Sequence, residues 1–244
     1  MLKFKALTGF FWMSTNSAFI TMLQLFKLII LVRLLEPSDF GQMAILTVII
    51  AFMGSISDLG IGTAIVQQLN LTRNQFSSLY WVNIIMALII FISIVLLSDF
   101  VANFYLIPDL DIKLIFLVST VLIRSLGYQY SFLLQKNLEF RSIALVGMLS
   151  ELFAFFTTIM LAYFDYGIWS LIIGQIVLSS IYSSLMLYFG IKLFFLPKFY
   201  FQYSEIKKML NFGLYQAGER VVNFTSANID KFLISKIISV EVLG

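Results

Sequence analysis

Phe76-Ser-Ser-Leu-Tyr-Trp-Val-Asn-Ile-Ile-Met-Ala-Leu-Ile-Ile-Phe-Ile-Ser-Ile-Val-Leu-Leu97 contains no charged residue. It is as long as a helical crossing of a bilayer's hydrocarbon core, which takes about 20 residues. Its apolar positions are continuous rather than alternating, which argues against the strand of a membrane barrel. Similar runs recur on either side: Ala6–Leu35, Gly41–Val66, Ile112–Leu134, Ile143–Tyr163, Ile168–Phe189 and Ile206–Ile238. The three prolines, Pro37, Pro108 and Pro197, all fall between runs. Over its 244 residues the chain is 60% apolar and 12% charged, with a mean hydropathy of +0.96. A soluble domain has about 45–50% and about 25%. The predicted fold is an all-α polytopic membrane protein, with six spans in a lobe over 1–196. A second unit over 197–244 holds a connector and a seventh span.

The sequence has no histidine and no cysteine. This excludes Ser-His-Asp and Cys-His nucleophiles, histidine proton shuttles, thiolate chemistry, disulfides and the usual zinc sites. No catalytic residue, metal site or cofactor is expected, and the loops are too short for an extramembrane catalytic domain. The net charge of +3 does not indicate nucleic acid, because the basic residues are scattered. They mark orientation instead. With the N-terminus in the cytoplasm, the inner segments carry Lys3, Lys5, Arg73, Lys136, Arg141, Lys192, Lys198, Lys207 and Lys208, and the outer ones only Arg33 and Lys113. That asymmetry follows the positive-inside rule. The N-terminal stretch is too long for a signal peptide and lacks a small-residue cleavage site, so it reads as an uncleaved first span. Between Pro197 and Asn211, lysines alternate with Phe199, Tyr200 and Tyr203. An amphipathic connector lying along the cytoplasmic interface is expected there.

The last span resembles the first. Lys27–Gly41 lies over Asp230–Gly244 without gaps, with basic residues matched at Arg33 and Lys236 and a glycine closing each. This implies a parallel repeat whose second lobe starts at the seventh span, so that the chain is expected to be half of a transporter.

Polar residues at membrane depth face a cavity or a partner. The first span repeats Ser14, Ser17, Thr21, Gln24 and Lys27 at helical spacing, and the second carries Thr47, Gly54, Asp58 and Gly62. The fourth has Thr120, Arg124, Gly127 and Ser131, the fifth Glu151, and the seventh Gln216, Glu219 or Arg220, Asn223, Ser226 and Asp230. Close helix packing accounts for most of the small residues, but not for Lys27, Arg124 and Arg220. Those cations either form internal pairs, such as Arg124 with Glu151 or Arg220 with Asp58, or line an aqueous cavity that attracts an anion. Asp58, followed by Gly60, suits a hinge or an ion site.

Leu34-Leu-Glu-Pro-Ser-Asp-Phe-Gly41, Asp58-Leu-Gly60, Gln135-Lys-Asn-Leu-Glu-Phe140, Tyr166-Gly-Ile-Trp-Ser-Leu171 and Asp230-Lys-Phe-Leu-Ile234 together resemble the polysaccharide flippases. These are the O-antigen, colanic-acid and teichuronic-acid exporters of the multidrug/oligosaccharidyl-lipid/polysaccharide superfamily, which have two six-helix lobes. The resemblance implies a multi-pass protein of the bacterial inner membrane that serves lipopolysaccharide or other surface polysaccharide synthesis. It implies translocation of an undecaprenyl-diphosphate-linked oligosaccharide, with membrane lipids and polysaccharide polymerase machinery as partners.

On that reading Lys27, Arg124, Arg220 and Gln24 bind the substrate in a cationic central cavity that opens by alternating access. Asp58, Glu151 and Asp230 are the candidates for coupling to Na+ or H+. An ion-coupled multidrug exporter shares the fold, but its cavity calls for acidic and aromatic residues rather than three cations. A membrane polymerase or ligase needs a large outer loop bearing catalytic side chains.

Overall fold

The computed structural model describes the backbone of residues 2–57 and 60–237, with side-chain surroundings for 7–54, 60–219, Val222, Asn223 and Ser226. α1 (Leu2–Leu31) ends in a turn, and α2 (Pro37–Ser57) starts on Pro37, where proline's missing N–H is not needed. Asp39 Oδ2, in the first turn of α2, accepts from the Glu36 backbone N–H at 3.4 Å, which ties the turn to the helix start. The second span, expected to be continuous over Gly41–Val66, is interrupted. Gly60 has φ +64° and precedes a short α3 (Ile61–Gln67), a backbone conformation that favours glycine. A Cβ on Gly60 would lie 2.3 Å from the Gly213 carbonyl oxygen. Thr72 and Gln75 form a reciprocal capping box at the start of α4 (Arg73–Tyr105). α5 (Leu110–Lys136), α6 (Phe140–Tyr163), α7 (Ile168–Leu193) and α8 (Tyr203–Ile237) follow, with no strand among the described residues.

Packed pairs report the direction of each helix. α4 and α5 run oppositely: Asn83 Nδ2 donates to Ser125 O (3.1 Å) and Gln129 Nε2 to Leu79 O (3.0 Å). α5 and α7 run together, with Phe116 meeting Trp169 near one end and Tyr130 meeting Gly190 near the other. α1 and α6 also run together, with Asn16 on Gly147 and Leu31 beside Ala162. α6 and α7 are antiparallel, since Thr158 lies on Gly174 and Val146 beside Met186. Every pair has the sense that successive crossings require, counting α2 and α3 as one. The bundle therefore has a basic end, with Lys136 and Lys192, and an acidic end, with Asp99, Asp109 and Asp111.

Among the described residues, five helices are long and apolar enough to cross a membrane: Leu7–Leu31, Pro37–Gly54, Arg73–Tyr105, Phe140–Tyr163 and Ile168–Leu193. α5 is not among them; it carries Arg124 and Gln129, and much of it is buried. It is instead flanked by α4 and α7, with further contacts to α2, α3 and α6, a position where polar groups find protein or a cavity rather than lipid.

Lipid tails are as apolar as leucine, so helix association here depends on close approach and interhelical hydrogen bonds. A Cβ on Gly127 would sit 2.5 Å from Ser183 O, and one on Gly190 would sit 2.1 Å from the Tyr130 ring. Two apolar cores result. Near the acidic end Leu46, Ile94, Leu114, Val118 and Ile172 pack together. Near the basic end Ile61, Phe76, Tyr130, Ile206 and Met209 do so.

Residues 195–202 are not helical but form a strap bound to α4, whose side chains take up the strap's backbone groups. Arg73 donates twice to Leu196 O (3.1 and 2.7 Å). Trp81 Nε1 donates to Lys198 O (2.8 Å), and Ser77 Oγ accepts from Lys198 N (3.0 Å). The Trp81 ring stacks on Phe199 at 4.8 Å. The amphipathic character read for this stretch belongs to the first turns of α8, with Ile206, Met209 and Ala217 buried and Lys207 and Lys208 exposed.

Gly127→Val should force α5 from α7 and lower stability by about 1–3 kcal/mol. Gly54→Ala, where an added Cβ meets nothing within 4 Å, should leave stability unchanged or slightly raised. Thermal unfolding of the two variants in detergent checks the contrast.

Candidate functional site

A cavity of about 380 Å³ opens between α2, α5 and α7, lined by Thr47 and Gly54, by Thr120, Arg124 and Tyr128, and by Gln175 and Ser179. It lies between the two apolar cores. A smaller cavity of about 190 Å³ adjoins it, lined by Lys27 of α1, Thr158 of α6 and Gly174 of α7, and shares Met43, Thr47 and Gln175 with the first. The two adjoin as a larger and a smaller chamber that share part of one wall.

Arg124 lies near the middle of α5, fourteen residues from Leu110 and so about 20 Å along the helix. Its side chain is exposed and its guanidinium lies 5.7 Å from the centroid of the Tyr182 ring, a cation–π contact. No carboxylate pairs with it among the described residues. A guanidinium at this depth costs several kcal/mol unless it faces water or an anion. It lines the larger cavity.

Glu151 pairs with Lys27 rather than Arg124. Lys27 Nζ lies 3.1 Å from Glu151 Oε1, with side-chain exposures of 18% and 5%. Two features of the packing explain this correction. α7 stands between α5 and most of α6, which turns Arg124 toward Tyr182. α1 lies on α6 in the register of Asn16 on Gly147 and Leu31 beside Ala162, which brings the lysine stem within reach of the carboxylate. Lys27 is thus a neutralised wall of the smaller chamber, not a second unpaired cation.

Gln24 lines neither cavity and lies exposed on α1 with Ser14, Ser17 and Thr21, a polar stripe turned away from α6. Arg220 and Asp230 fall on the backbone of α8, but their side chains lie outside the described ones, and Asp58 lies outside the described residues altogether. Of the small residues read as packing sites, Gly62 and Gly127 meet Phe132 and Ser183, whereas Gly54 borders the cavity. Gln175 was absent from the sequence-derived candidates. Its sequence signal is a short polar face, Gln175, Ser179 and Ser183 at helical spacing, which carries no charge and follows the apolar run Leu171–Ile173.

The family described as polysaccharide biosynthesis protein matches residues 30–244, and the chain belongs to that family. It is 28% identical over its whole length to the lipopolysaccharide biosynthesis protein WzxC of Escherichia coli (strain K12), covering 49% of that protein. It is 30% identical over 98% of its length to the teichuronic acid biosynthesis protein TuaB of Bacillus subtilis (strain 168), again covering 49%. The succinoglycan biosynthesis transport protein ExoT of Rhizobium meliloti (strain 1021) is 25% identical over 88% of the chain. The chain spans about half the length of the curated relatives it matches. No solved structure matches it.

Lys27→Met, which strands the nearly buried carboxylate, should destabilise by about 1–3 kcal/mol. That is less than the 3–5 kcal/mol of a fully buried pair, because the pair borders a cavity. The double variant Lys27→Met/Glu151→Leu should recover most of the loss, as read from thermal unfolding midpoints.

Proposed function

We propose that this member of the polysaccharide biosynthesis family forms one lobe of a flippase. It would carry an undecaprenyl-diphosphate-linked oligosaccharide from the cytoplasmic to the outer leaflet of the bacterial inner membrane. The observation that carries this reading is Arg124, exposed to a cavity at mid-helix with no carboxylate partner among the described residues. A diphosphate supplies the multiple negative charge and planar acceptor geometry that a guanidinium fork binds well. The acidic end of the bundle, with Asp99, Asp109 and Asp111 around a separate cavity, repels the same ligand.

The exposed polar stripe on α1 and the exposed Glu219, Asn223 and Ser226 on α8 suit an aqueous cleft between two lobes, since polar faces avoid lipid. α8 would be the first helix of the second lobe, touching the first at Gly60 and Gly213. Rocking about this contact would expose the cleft to each side in turn. The N-terminus would be cytoplasmic, placing the basic end inside. No bond is made or broken, and the work of the side chains is to replace the water around a charged headgroup. Glu151 becomes available to Na+ or H+ only when Lys27 leaves it, so coupling through this carboxylate requires an anion to compete for the lysine. Asp58, Asp230 and Arg220 remain candidates for coupling and for anion binding.

Arg124→Ala should abolish glycan export while leaving membrane insertion intact, so that lipid-linked oligosaccharide accumulates on the cytoplasmic side. Arg124→Lys should retain part of the export, having charge without the fork. Normal export by the alanine variant would overturn the role given to this residue.

A further inference from the structure

Gln175 lies on the wall that the two chambers share. Two hydroxyls on the same walls donate to their own helices: Thr47 Oγ1 to Met43 O (2.7 Å) and Thr120 Oγ1 to Leu117 O (2.6 Å). Gln175 is exposed, and it makes no hydrogen bond to another described residue. Its amide therefore offers two donors and an acceptor in the middle of an apolar helix, where an amide without a partner is costly. Met43, Leu171 and Leu178 border it, so its surroundings combine an apolar wall with one neutral, two-way hydrogen-bonding group.

That chemistry differs from the chemistry at Arg124. A neutral amide has little preference for a diphosphate over water, but it can donate to one hydroxyl of a sugar and accept from its neighbour. The two side chains are also separated along the cleft. Arg124 stacks over Tyr182, which is seven residues beyond Gln175 on α7, or about 10 Å at the helical rise. They meet different parts of one extended ligand.

We infer that Gln175 is a specificity-determining residue that reads the hydroxyl pattern of the sugar nearest the diphosphate. The inference rests on the proposal that the diphosphate sits at Arg124. A site built to hydrogen-bond a hydroxyl discriminates by leaving its own polar group unpaired when the wrong ligand binds.

The test measures binding to the protein in nanodiscs of bare undecaprenyl diphosphate and of the same lipid carrying glucose, galactose or N-acetylglucosamine. The native protein should bind at least one glycosylated lipid about 5- to 10-fold tighter than the bare lipid, the worth of one or two net hydrogen bonds. Gln175→Leu should bring that ratio close to one, and Gln175→Asn should preserve part of it. The inference is overturned if the native protein prefers no sugar, so that the amide serves only water. Retention of the native ratio by the leucine variant overturns it too, as does a proportional loss for bare and glycosylated lipid. Arg124→Ala separates the two proposals. Unchanged binding of bare undecaprenyl diphosphate by that variant removes the anchor, whereas the ratio across Gln175 variants is read independently.

Discussion

Water is excluded from the hydrocarbon core, and so each polar group on these helices must find protein, a cavity or an interface. α5 meets this demand most fully. It carries Arg124, Ser125 and Gln129 within two turns, and it lies where α4 accepts some of these groups and α7 and α2 leave room for the others. Asn83 and Gln129 bridge α4 and α5 through backbone carbonyls. Arg124 has no such partner among the described residues, and around it the bundle stays open. The cavity is thus the counterpart of the close contacts at Gly127 and Gly190. Where helices approach to backbone distance they exclude ligand, and on the acidic side of those contacts, at Thr120 and Arg124 of α5 and Gln175 and Ser179 of α7, the side chains leave them apart.

The apolar helices were legible because their signals are long. A continuous apolar run of 20 residues leaves little choice of structure, and prolines between runs mark the turns. The basic residues fall alternately inside and between spans, as crossings of alternating sense require, and the observed helix directions agree. What was not legible depends on short-range geometry. The interruption at Gly60 needs a positive φ and a close neighbour in α8, and the neighbour is more than 150 residues away. The strap at 195–202 has an amphipathic composition, but its backbone is claimed by Arg73, Ser77 and Trp81, and composition does not register that competition.

The site was legible in part, for the same reason. The requirement for a cavity or partner at membrane depth identified Lys27, Arg124 and Glu151. The choice of partner followed from which helix stands between which, and α7 between α5 and α6 decided it for Lys27 and against Arg124. Gln24 shares a helical face with Lys27 only approximately, and the lysine's longer stem reaches α6 where the glutamine does not. Gln175 shows the opposite failure. Its periodic partners Ser179 and Ser183 are small hydroxyls of the kind that also serve helix packing, and its position between two chambers exists only once three helices are assembled.

The strap also fixes the mechanics of whatever follows it. An unbound segment of eight residues could extend to about 28 Å and let two bodies move nearly independently. Here Leu196, Lys198 and Tyr200 are fastened to α4, and Gln202 N is held by Ser78 Oγ at 3.2 Å, immediately before α8 begins. No slack remains between the fastenings and the helix. Ile206 and Met209 of α8 are buried in the core at the basic end, and α8 cannot slide away from α4 without first unbuttoning the strap, so the joint is a pin rather than a leash.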